Sequence, residues 1–529
     1  MTSIRAARIR VTGVVQGVGF RPFVYRLARA HALTGWVRNT TGCVEIAVQG
    51  AAADLETFTR ALSQEAPPLA SITRLTVEPC APESFNSFEI RPSLAQPDAF
   101  QPIAPDVAIC PDCLRELFDP ADRRYRYPFI NCTHCGPRLT IITAVPYDRP
   151  NTTMASFPLC PECAAEYADP GNRRFHAQPV ACPTCGPQIW LVCSGEGSAE
   201  AALRPGPTAG EAALAQARRV LAQGGVVALK GLGGFHLACR ADDEQAVARL
   251  RAGKQRGDKP LALMLPDLGA IEGLCEVSDD ERALLQSRER PIVVLHPRAG
   301  AAVAANVAPG QDTLGVMLPY TPLHYLLLER AAGFPTALVM TSGNVSGEPL
   351  ISDNAEALER LAPVADVFLL HNRDIHARCD DSVVRFAPAS APSEKPFTIY
   401  YRRARGYAPR SVALPFEAPP LLAAGAELKN TFCLARDGQA FLSQHIGDLQ
   451  NYETLQAFEA AVAQAEALFR TRPQALAYDL HPDYLSTRYA TARAGDGRVY
   501  TTRIEREPPL AEVPPAEASA PPSPDRVSE

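Results

Sequence analysis

Residues 13–21 read GVVQGVGFR, and this stretch joins a predicted strand to a predicted helix. Apolar side chains alternate over 4–15, as in a strand, and recur at helical spacing over 22–33. The remaining elements are two strands, a helix and two strand-like stretches, at 35–39, 43–49, 54–63, 72–78 and 87–91. This order, strand-helix-strand-strand-helix-strand, predicts a ferredoxin-like α/β sandwich over a first domain, 1–92.

The glycine-rich turn has the composition of a phosphate-binding loop. Gly17 and Gly19 let consecutive backbone N–H groups point inward, and the helix N-terminus that follows favours an anion. Arg21 begins that helix and can bind two phosphate oxygens at once. The predicted phosphate-binding residues are Gln16, Gly17, Val18, Gly19, Phe20 and Arg21.

This string, together with GWVRN at 35–39, resembles the acylphosphatase family across the whole first domain. The resemblance implies that Arg21 binds the phosphate and that Asn39 orients the attacking water, so both are predicted catalytic residues. An amide suits that role because it donates and accepts hydrogen bonds without a charge that phosphate repels. An acylphosphatase-like fold without activity stays open as the alternative.

The 529-residue chain has room for roughly three to four domains, and its composition excludes several classes of protein. A net charge of -6 and a pI near 6.0 provide no basic field, so binding to RNA or to a membrane is not expected. The N-terminus, MTSIRAARIRVTG, lacks the apolar core of a signal peptide, and no apolar run is long enough to span a bilayer. We expect a soluble, cytoplasmic protein.

The segment 100–190 contains a cysteine repeat with a period of 50 residues, in which CPDC and CTHC recur as CPEC and CPTC. Eighteen residues separate the two CxxC pairs of each copy, a spacing typical of structural zinc sites. Two closed four-cysteine zinc sites are predicted, at Cys110, Cys113, Cys132 and Cys135 and at Cys160, Cys163, Cys182 and Cys185. The nearby His134 and His176 receive no ligand role because four cysteines fill each shell. Redox-active pairs are the alternative, but they need a βαβ context that this segment lacks.

An α/β pattern over 205–391 contains three distinctive strings, KGLGGFH at 230–236, KQRGDKP at 254–260 and TSGN at 341–344. Cations grouped with a hydroxyl and an amide suit a triphosphate, which they neutralise and orient. The predicted nucleotide-binding residues are Lys254, Arg256, Lys259, Ser342 and Asn344. A solvated cationic face is the alternative for the lysine-arginine run alone.

Together these strings resemble the YrdC family, which makes carbamoyl-type adenylates from ATP. LPYTPLHYLLL, MTSGNVSGEPL and RCDDSVVR, at 318–328, 340–350 and 378–385, resemble the version of that domain found in the HypF family. One departure is Arg240, where HypF relatives usually have an aspartate.

The last part, 415–492, resembles the start of the HypF carbamoyl-transfer domain, which is related to the TsaD family and has an actin-like ATPase fold. The resemblance rests on LLAAGAELKNTF, SQHIGD and YDLHPDYLS, at 421–432, 443–448 and 478–486. The histidine cluster that this family places further on is not found, and His481 is assigned no ligand role. We therefore expect a truncated form of this domain, followed by a disordered Pro/Ala/Glu-rich tail at 493–529.

The HypF resemblance implies a carbamoyltransferase of [NiFe]-hydrogenase maturation. Carbamoyl phosphate would be cleaved to carbamate, carbamate joined to ATP, with Mg²⁺, as carbamoyl adenylate, and the carbamoyl group passed to the C-terminal cysteine of the partner HypE. There it becomes the precursor of the cyanide ligand. Because we expect the last domain to be truncated, we expect this chain alone to form the adenylate without transferring the carbamoyl group. A threonylcarbamoyl-adenylate synthase for tRNA modification and a non-catalytic remnant are the alternatives.

Overall fold

The computed structural model describes residues 4–40, 42–94, 102–195, 205–206, 208–345, 347–389, 395–495 and 500–501. These residues form three β-sheets, of five, ten and six strands, with a cysteine-rich segment between the first and the second. None of the helices in the described part of the chain is long and apolar enough to cross a membrane.

The first domain is a ferredoxin-like sandwich, as predicted. Its elements are β1 (Ile4–Val14), α1 (Phe20–Ala30), β2 (Thr34–Asn39), β3 (Val44–Ala51), α2 (Ala52–Gln64), β4 (Ser71–Cys80) and β5 (Phe88–Ile90). The sheet order is β4-β1-β3-β2-β5, in which β1 pairs antiparallel with β3 and β4, and β5 runs parallel to β2 at the edge. Phe20 and Val24 of α1 and Phe58 of α2 are buried in its core.

The cysteine-rich segment has little regular structure beyond two short helices, α3 (Pro111–Leu117) and α4 (Pro161–Ala168). Each helix begins at the proline that follows the first cysteine of its repeat. Proline suits this first position because its missing N–H would have no partner inside the helix. The helices therefore start at equivalent places in the two repeats and carry the second cysteine, Cys113 or Cys163, inward.

The α/β domain is built on the ten-stranded sheet. Its strands are β6 (Ile189–Cys193), β7 (Val227–Lys230), β8 (Phe235–Arg240), β9 (Ala262–Met264), β10 (Ile292–Leu295), β11 (Leu314–Met317), β12 (Leu338–Ser342), β13 (Val367–His371), β14 (Val383–Ala387) and β15 (Phe397–Arg402). Its helices are α5 (Gly210–Ala222), α6 (Glu244–Gly253), α7 (Leu268–Leu274), α8 (Asp279–Gln286), α9 (Pro322–Leu327) and α10 (Asn354–Arg360).

The strand order of this sheet is β15-β14-β10-β11-β9-β12-β8-β7-β13-β6. The domain extends beyond the range 205–391 that the sequence suggests, because two strands outside this range belong to its sheet. These strands are β6, which pairs with β13, and β15, which pairs with β14. Parallel pairing of β7 with β13 brings their carboxyl ends, Lys230 and His371, to the same edge of the sheet.

The last part contains β16 (Ser411–Ala413), β17 (Leu421–Ala423), β18 (Cys433–Arg436), β19 (Gln439–Leu442), α11 (Tyr452–Phe469), β20 (Ala475–Ala477), α12 (Leu485–Gly495) and β21 (Tyr500–Thr501). Its sheet has the order β16-β19-β18-β17-β20-β21. Its core also takes in Ile142 and Tyr147 of the cysteine-rich segment. The predicted disordered tail, 493–529, begins within α12. Of this tail the structure describes 493–495, which are helical, and 500–501, which form β21; the rest lies outside the described residues.

Candidate functional site

The predicted phosphate-binding loop, residues 15–19 and called the phosphate loop below, follows β1 and leads directly into α1. Gly17 and Gly19 have φ angles of 68° and 77°, in the left-handed region that favours glycine, and Gly19 is the N-cap residue of α1. Gln16 donates from its amide to the Thr40 carbonyl at 2.6 Å, which ties the loop to the end of β2. The loop is therefore held in a conformation that exposes successive N–H groups at the helix start.

Arg21 and Asn39 meet beside this loop. Arg21 is 7% exposed and Asn39 is 1% exposed. With its oxygen turned toward Arg21, the Asn39 amide accepts from Nε and Nη2, both at 3.1 Å, whereas the opposite orientation would set donors against donors. Asp148 of the cysteine-rich segment lies 3.7 Å from Arg21 Nη2. Burial lowers the pKa of Arg21 from its ordinary value.

The cysteine-rich segment closes over the phosphate loop. Arg138 Nε donates to the Gly17 carbonyl at 2.7 Å, and a side chain on Gly17 would meet the Tyr147 ring at 2.9 Å. His176 lines the same pocket, and burial, with the charge of Arg21 adding to it, lowers the pKa of His176 to about 4. The imidazole is therefore neutral near pH 7. Sequence reasoning missed this cover because the covering residues belong to another segment and to no motif.

The eight predicted cysteines form two clusters whose geometry fits zinc. In the first cluster Cys110 and Cys113 lie 3.6 Å from Cys132 and Cys135, respectively. In the second, the sulfur of Cys182 lies 3.7 Å from those of Cys160 and Cys185. A tetrahedral ZnS₄ site with Zn–S near 2.3 Å has sulfur-to-sulfur edges of about 3.8 Å. Both clusters are thus arranged as metal sites, and neither His134 nor His176 belongs to one.

Each cluster receives hydrogen bonds from arginines of the other repeat. Arg173 of the second repeat donates to Cys113 Sγ at 3.0 Å and pairs with Glu116. The equivalent residue of the first repeat, Arg123, donates to Cys163 Sγ at 2.9 Å. It also pairs with Glu166, the counterpart of Glu116, at 3.0 Å. Positive charge beside coordinating sulfurs stabilises their anionic form, so the two repeats hold each other's clusters.

Metal analysis should find two zinc ions per chain in protein purified without added zinc. The Cys113→Ser and Cys163→Ser variants should each lose one equivalent, because each removes one ligand from a different four-cysteine cluster. Strong chelators should release the metal and unfold the segment, since metal binding and folding are coupled in small metal domains. Finding one zinc ion, or disulfides between these cysteines under reducing conditions, would refute the two-site prediction.

Arg173→Ala should weaken zinc binding at the cluster of the first repeat, roughly tenfold to a hundredfold, as losses around coordinating ligands usually do. The affinities of the two clusters can be separated by chelator competition in the Cys163→Ser and Cys113→Ser backgrounds. Arg115→Ala is the matched control, because Arg115 is exposed on α3 and pairs with Asp112 without touching sulfur. A loss confined to the cluster of Arg173's own repeat would contradict the reciprocal arrangement.

The five predicted nucleotide-binding residues line one cavity of about 1090 Å³. They are Lys254, Arg256, Lys259, Ser342 and Asn344. The cavity lies between the ten-stranded sheet and the last part of the chain, which contributes Lys429 and His445. Arg378 and Arg402 add further cations that the sequence reasoning did not single out, although RCDDSVVR begins with the first of them.

Lys254 organises the loop that follows β12. Its buried Nζ donates to the carbonyls of Ser342 and Asn344 at 2.5 and 2.7 Å and to Asn344 Oδ1 at 3.0 Å. Ser342 Oγ donates to the same Oδ1 at 2.8 Å. Burial, with the charge of Arg256 adding to its effect, lowers the pKa of Lys254 to about 7. A negatively charged ligand would favour the protonated ammonium, as expected for a phosphate site.

Two residues noted in the sequence lie away from this cavity. Lys230, the first residue of the string KGLGGFH, lines a separate, smaller cavity against the cysteine-rich segment. Arg240 pairs with Asp242 at 2.8 Å at the end of β8 and does not line the large cavity.

Four families match successive parts of the chain. They are the acylphosphatase family over 7–90, the HypF finger over 109–142 and 159–192, the Sua5/YciO/YrdC family, described as telomere recombination, over 219–396, and the HypF Kae1-like domain over 416–505. The first three agree with the acylphosphatase, zinc and YrdC-like resemblances drawn from the motifs.

The chain is similar along most of its length to known proteins. It is 51% identical over 512 residues to carbamoyltransferase HypF2 of Cupriavidus necator, covering 94% of this chain and 62% of that protein. A crystal structure of full-length HypF in the phosphate- and nucleotide-bound form superposes with a TM-score of 0.85 at 45% identity, covering 93% of this chain and 62% of the other. The acylphosphatase of Syntrophotalea carbinolica is 42% identical over 86 residues, which are 16% of this chain and 92% of that enzyme. The chain thus spans about three fifths of its longer relatives.

Proposed function

Because the chain belongs to the HypF carbamoyltransferase family, we propose that it converts carbamoyl phosphate and ATP into carbamoyl adenylate for [NiFe]-hydrogenase maturation. The observation that carries the proposal is the buried Arg21–Asn39 pair at the phosphate loop, in the same chain as a cation-lined cavity large enough for a nucleotide. The reaction has two stages, one at each site. We further propose that the protein works in the cytoplasm.

The first stage is hydrolysis at the phosphate loop. The loop N–H groups and the Arg21 guanidinium bind the phosphate oxygens, while Asn39 orients a water molecule toward phosphorus. The new P–O bond forms as the bond from phosphorus to the carbamoyl oxygen breaks. Phosphate, carbamate and a proton leave. The Asn39 oxygen keeps the guanidinium in place through two hydrogen bonds, so the site is organised before substrate binds.

The second stage is adenylation in the large cavity. A carbamate oxygen attacks the α-phosphorus of ATP, and the bond to the pyrophosphate group breaks. Arg256, Lys259 and Arg402 line the cavity and neutralise the triphosphate together with Mg²⁺, and Ser342 and Asn344 orient it. Carbamate decomposes in water, so both sites in one chain shorten its exposure to solvent.

The acceptor proposed for the carbamoyl group is the C-terminal cysteine of HypE. Its thiolate attacks the carbonyl carbon of the adenylate, a C–S bond forms, and AMP leaves as the C–O bond breaks. The Kae1-like part, 416–505, is the region of this chain that we assign to that stage. Mass spectrometry of HypE after incubation with the protein, ATP and carbamoyl phosphate tests it, since transfer adds one carbamoyl group to the cysteine.

The decisive experiment for adenylation is exchange of labelled pyrophosphate into ATP by the purified chain. Exchange that depends on carbamoyl phosphate supports the proposal. Exchange that instead requires threonine and bicarbonate would support a threonylcarbamoyl-adenylate synthase. The absence of both exchange and phosphate release would refute both assignments and leave a non-catalytic protein.

A further inference from the structure

A second, smaller cavity lies between the cysteine-rich segment and the α/β domain. It has a volume of about 30 Å³, enough for two water molecules or one small planar ion. Residues 128–131 and 136–137 line one side, and Lys230, His371 and Arg373 line the other. Lys230 and His371 are the last residues of the parallel strands β7 and β13, an edge at which α/β proteins commonly bind ligands.

Two cations are buried at this cavity without an anionic partner. Lys230 is 3% exposed, and its ammonium, which can donate three hydrogen bonds, makes one, to the His371 carbonyl at 3.3 Å. Arg373 is 6% exposed, and within the described part of the chain its guanidinium forms neither a hydrogen bond nor an ion pair. It lies 5.1 Å from the Phe129 ring.

The carboxylates that act electrostatically on Lys230 and Arg373 do not neutralise them by direct contact. Asp106 acts on Arg373, and Asp353 and Asp374 act on Lys230, but none of them forms an ion pair with either cation in the described residues. Burial lowers the pKa of Lys230 to about 8 and that of Arg373 to about 10. Burying two like charges without a partner is costly, which indicates that an anion compensates them in the working protein.

Two hydrogen-bond acceptors at the same cavity also lack donors. Asn131 Nδ2 donates to the carbonyls of Phe129 and Pro179 at 2.9 and 3.0 Å, which fixes the amide orientation, and its Oδ1 is buried without a partner. His371 Nε2 donates to the Gly231 carbonyl at 3.1 Å, so Nδ1 carries the lone pair, and it too is buried without a partner. The cavity therefore offers unused donors on cations and unused acceptors.

We propose that this cavity is a binding site for a small carboxylate-type anion that also carries a hydrogen-bond donor, with carbamate as its ligand. The carboxylate oxygens face Lys230 and Arg373, and the NH₂ group donates to Asn131 and His371. The choice of carbamate over bicarbonate, which shares this chemistry, rests on the proposed function.

The position of the cavity suits the product of hydrolysis. Arg138, which donates to the phosphate loop at Gly17, follows the lining residue Pro137 directly. Tyr147, which packs against Gly17, donates to the Pro137 carbonyl at 3.2 Å. The neighbouring residues Pro137 and Arg138 thus connect the small cavity to the phosphate loop. Lys230, on the other side, belongs to the ten-stranded sheet of the α/β domain.

Saturation-transfer ¹³C NMR on the full chain in ammonium [¹³C]bicarbonate tests the site, because bicarbonate and carbamate coexist there with separate signals. Saturation transfer from the protein to the carbamate signal is expected. Lys230→Met and Arg373→Met should each weaken carbamate binding by roughly tenfold or more, as loss of a charge-assisted hydrogen bond does. Arg219→Met is the matched control, since Arg219 is exposed on α5 of the same domain. Transfer to bicarbonate alone, or equal transfer in the wild type and both variants, would overturn the proposal.

Thermal unfolding separates this role from a structural one. Both methionine variants should unfold at or above the temperature of the wild type, because each removes an unpaired buried charge. Addition of ammonium bicarbonate should stabilise the wild type and not the variants. A marked destabilisation of both variants would mean that the cations support the fold, and would overturn the proposal.

Phosphate release distinguishes failure of this inference from failure of the proposed function. If the wild type hydrolyses carbamoyl phosphate and both variants bind carbamate normally, the anion site is wrong and the function stands. If the wild type binds carbamate through Lys230 and Arg373 but releases no phosphate, the anion site stands and the first stage is wrong.

Discussion

Replacing Arg21 by alanine is expected to slow hydrolysis of carbamoyl phosphate by roughly a hundredfold to a thousandfold, the usual effect of removing a preorganised donor from a developing charge. Arg21 is the charged side chain at the start of α1, and it is buried beside the glycine loop with Asn39 and Asp148 around it. Loss of Arg21 also leaves the Asp148 carboxylate close to the bound phosphate without a cation between them. We therefore expect a higher KM and a lower kcat.

Asn39→Ala should behave differently, because Asn39 acts on the water and on the orientation of Arg21. We expect a lower kcat with a smaller rise in KM. Steady-state phosphate release by the full chain measures both constants. Arg29→Ala is the control, since Arg29 is exposed in the last turn of the same helix. Undiminished hydrolysis in Arg21→Ala would remove the assignment of this loop as the hydrolytic site.

Replacing Lys254 by alanine is expected to reduce carbamoyl-phosphate-dependent pyrophosphate exchange by roughly a hundredfold or more, since it removes a buried cation from the proposed triphosphate site. The change has two effects. It takes away positive charge, and it frees the carbonyls of Ser342 and Asn344 that the ammonium holds. Ser342→Ala removes a hydroxyl and leaves those contacts, so it should also reduce exchange, but less.

Exchange and phosphate release should be measured on the same preparations. Lys254→Ala should keep phosphate release, because the phosphate loop belongs to another domain with its own core. Lys395→Ala is the matched control, since Lys395 is exposed just before β15. Normal exchange in Lys254→Ala, or the same loss in Lys395→Ala, would remove the nucleotide assignment of the large cavity.

Several features could be predicted because the signal for each lies within a short stretch of chain. Alternation and helical spacing predicted the sandwich of the first domain, and the structure confirms it with small shifts at the ends of α1 and β1. The CxxC spacing predicted two clusters, and the sulfurs of Cys110 and Cys132 lie at the separation a zinc site requires. The lysine-arginine run and TSGN line one cavity, although 88 residues separate Lys254 from Ser342.

What the sequence by itself determined was the set of modules and the candidate residues of each site, because spacing, glycine content and charge act through neighbouring residues. Only the tertiary structure decided how distant segments meet. Tyr147 and His176 cover the phosphate loop. Arg123 and Arg173 each donate to the cysteine cluster of the other repeat, and Lys230 and Arg373 line a separate cavity. These contacts depend on how whole domains pack, and packing is set by the summed burial of many side chains rather than by any motif.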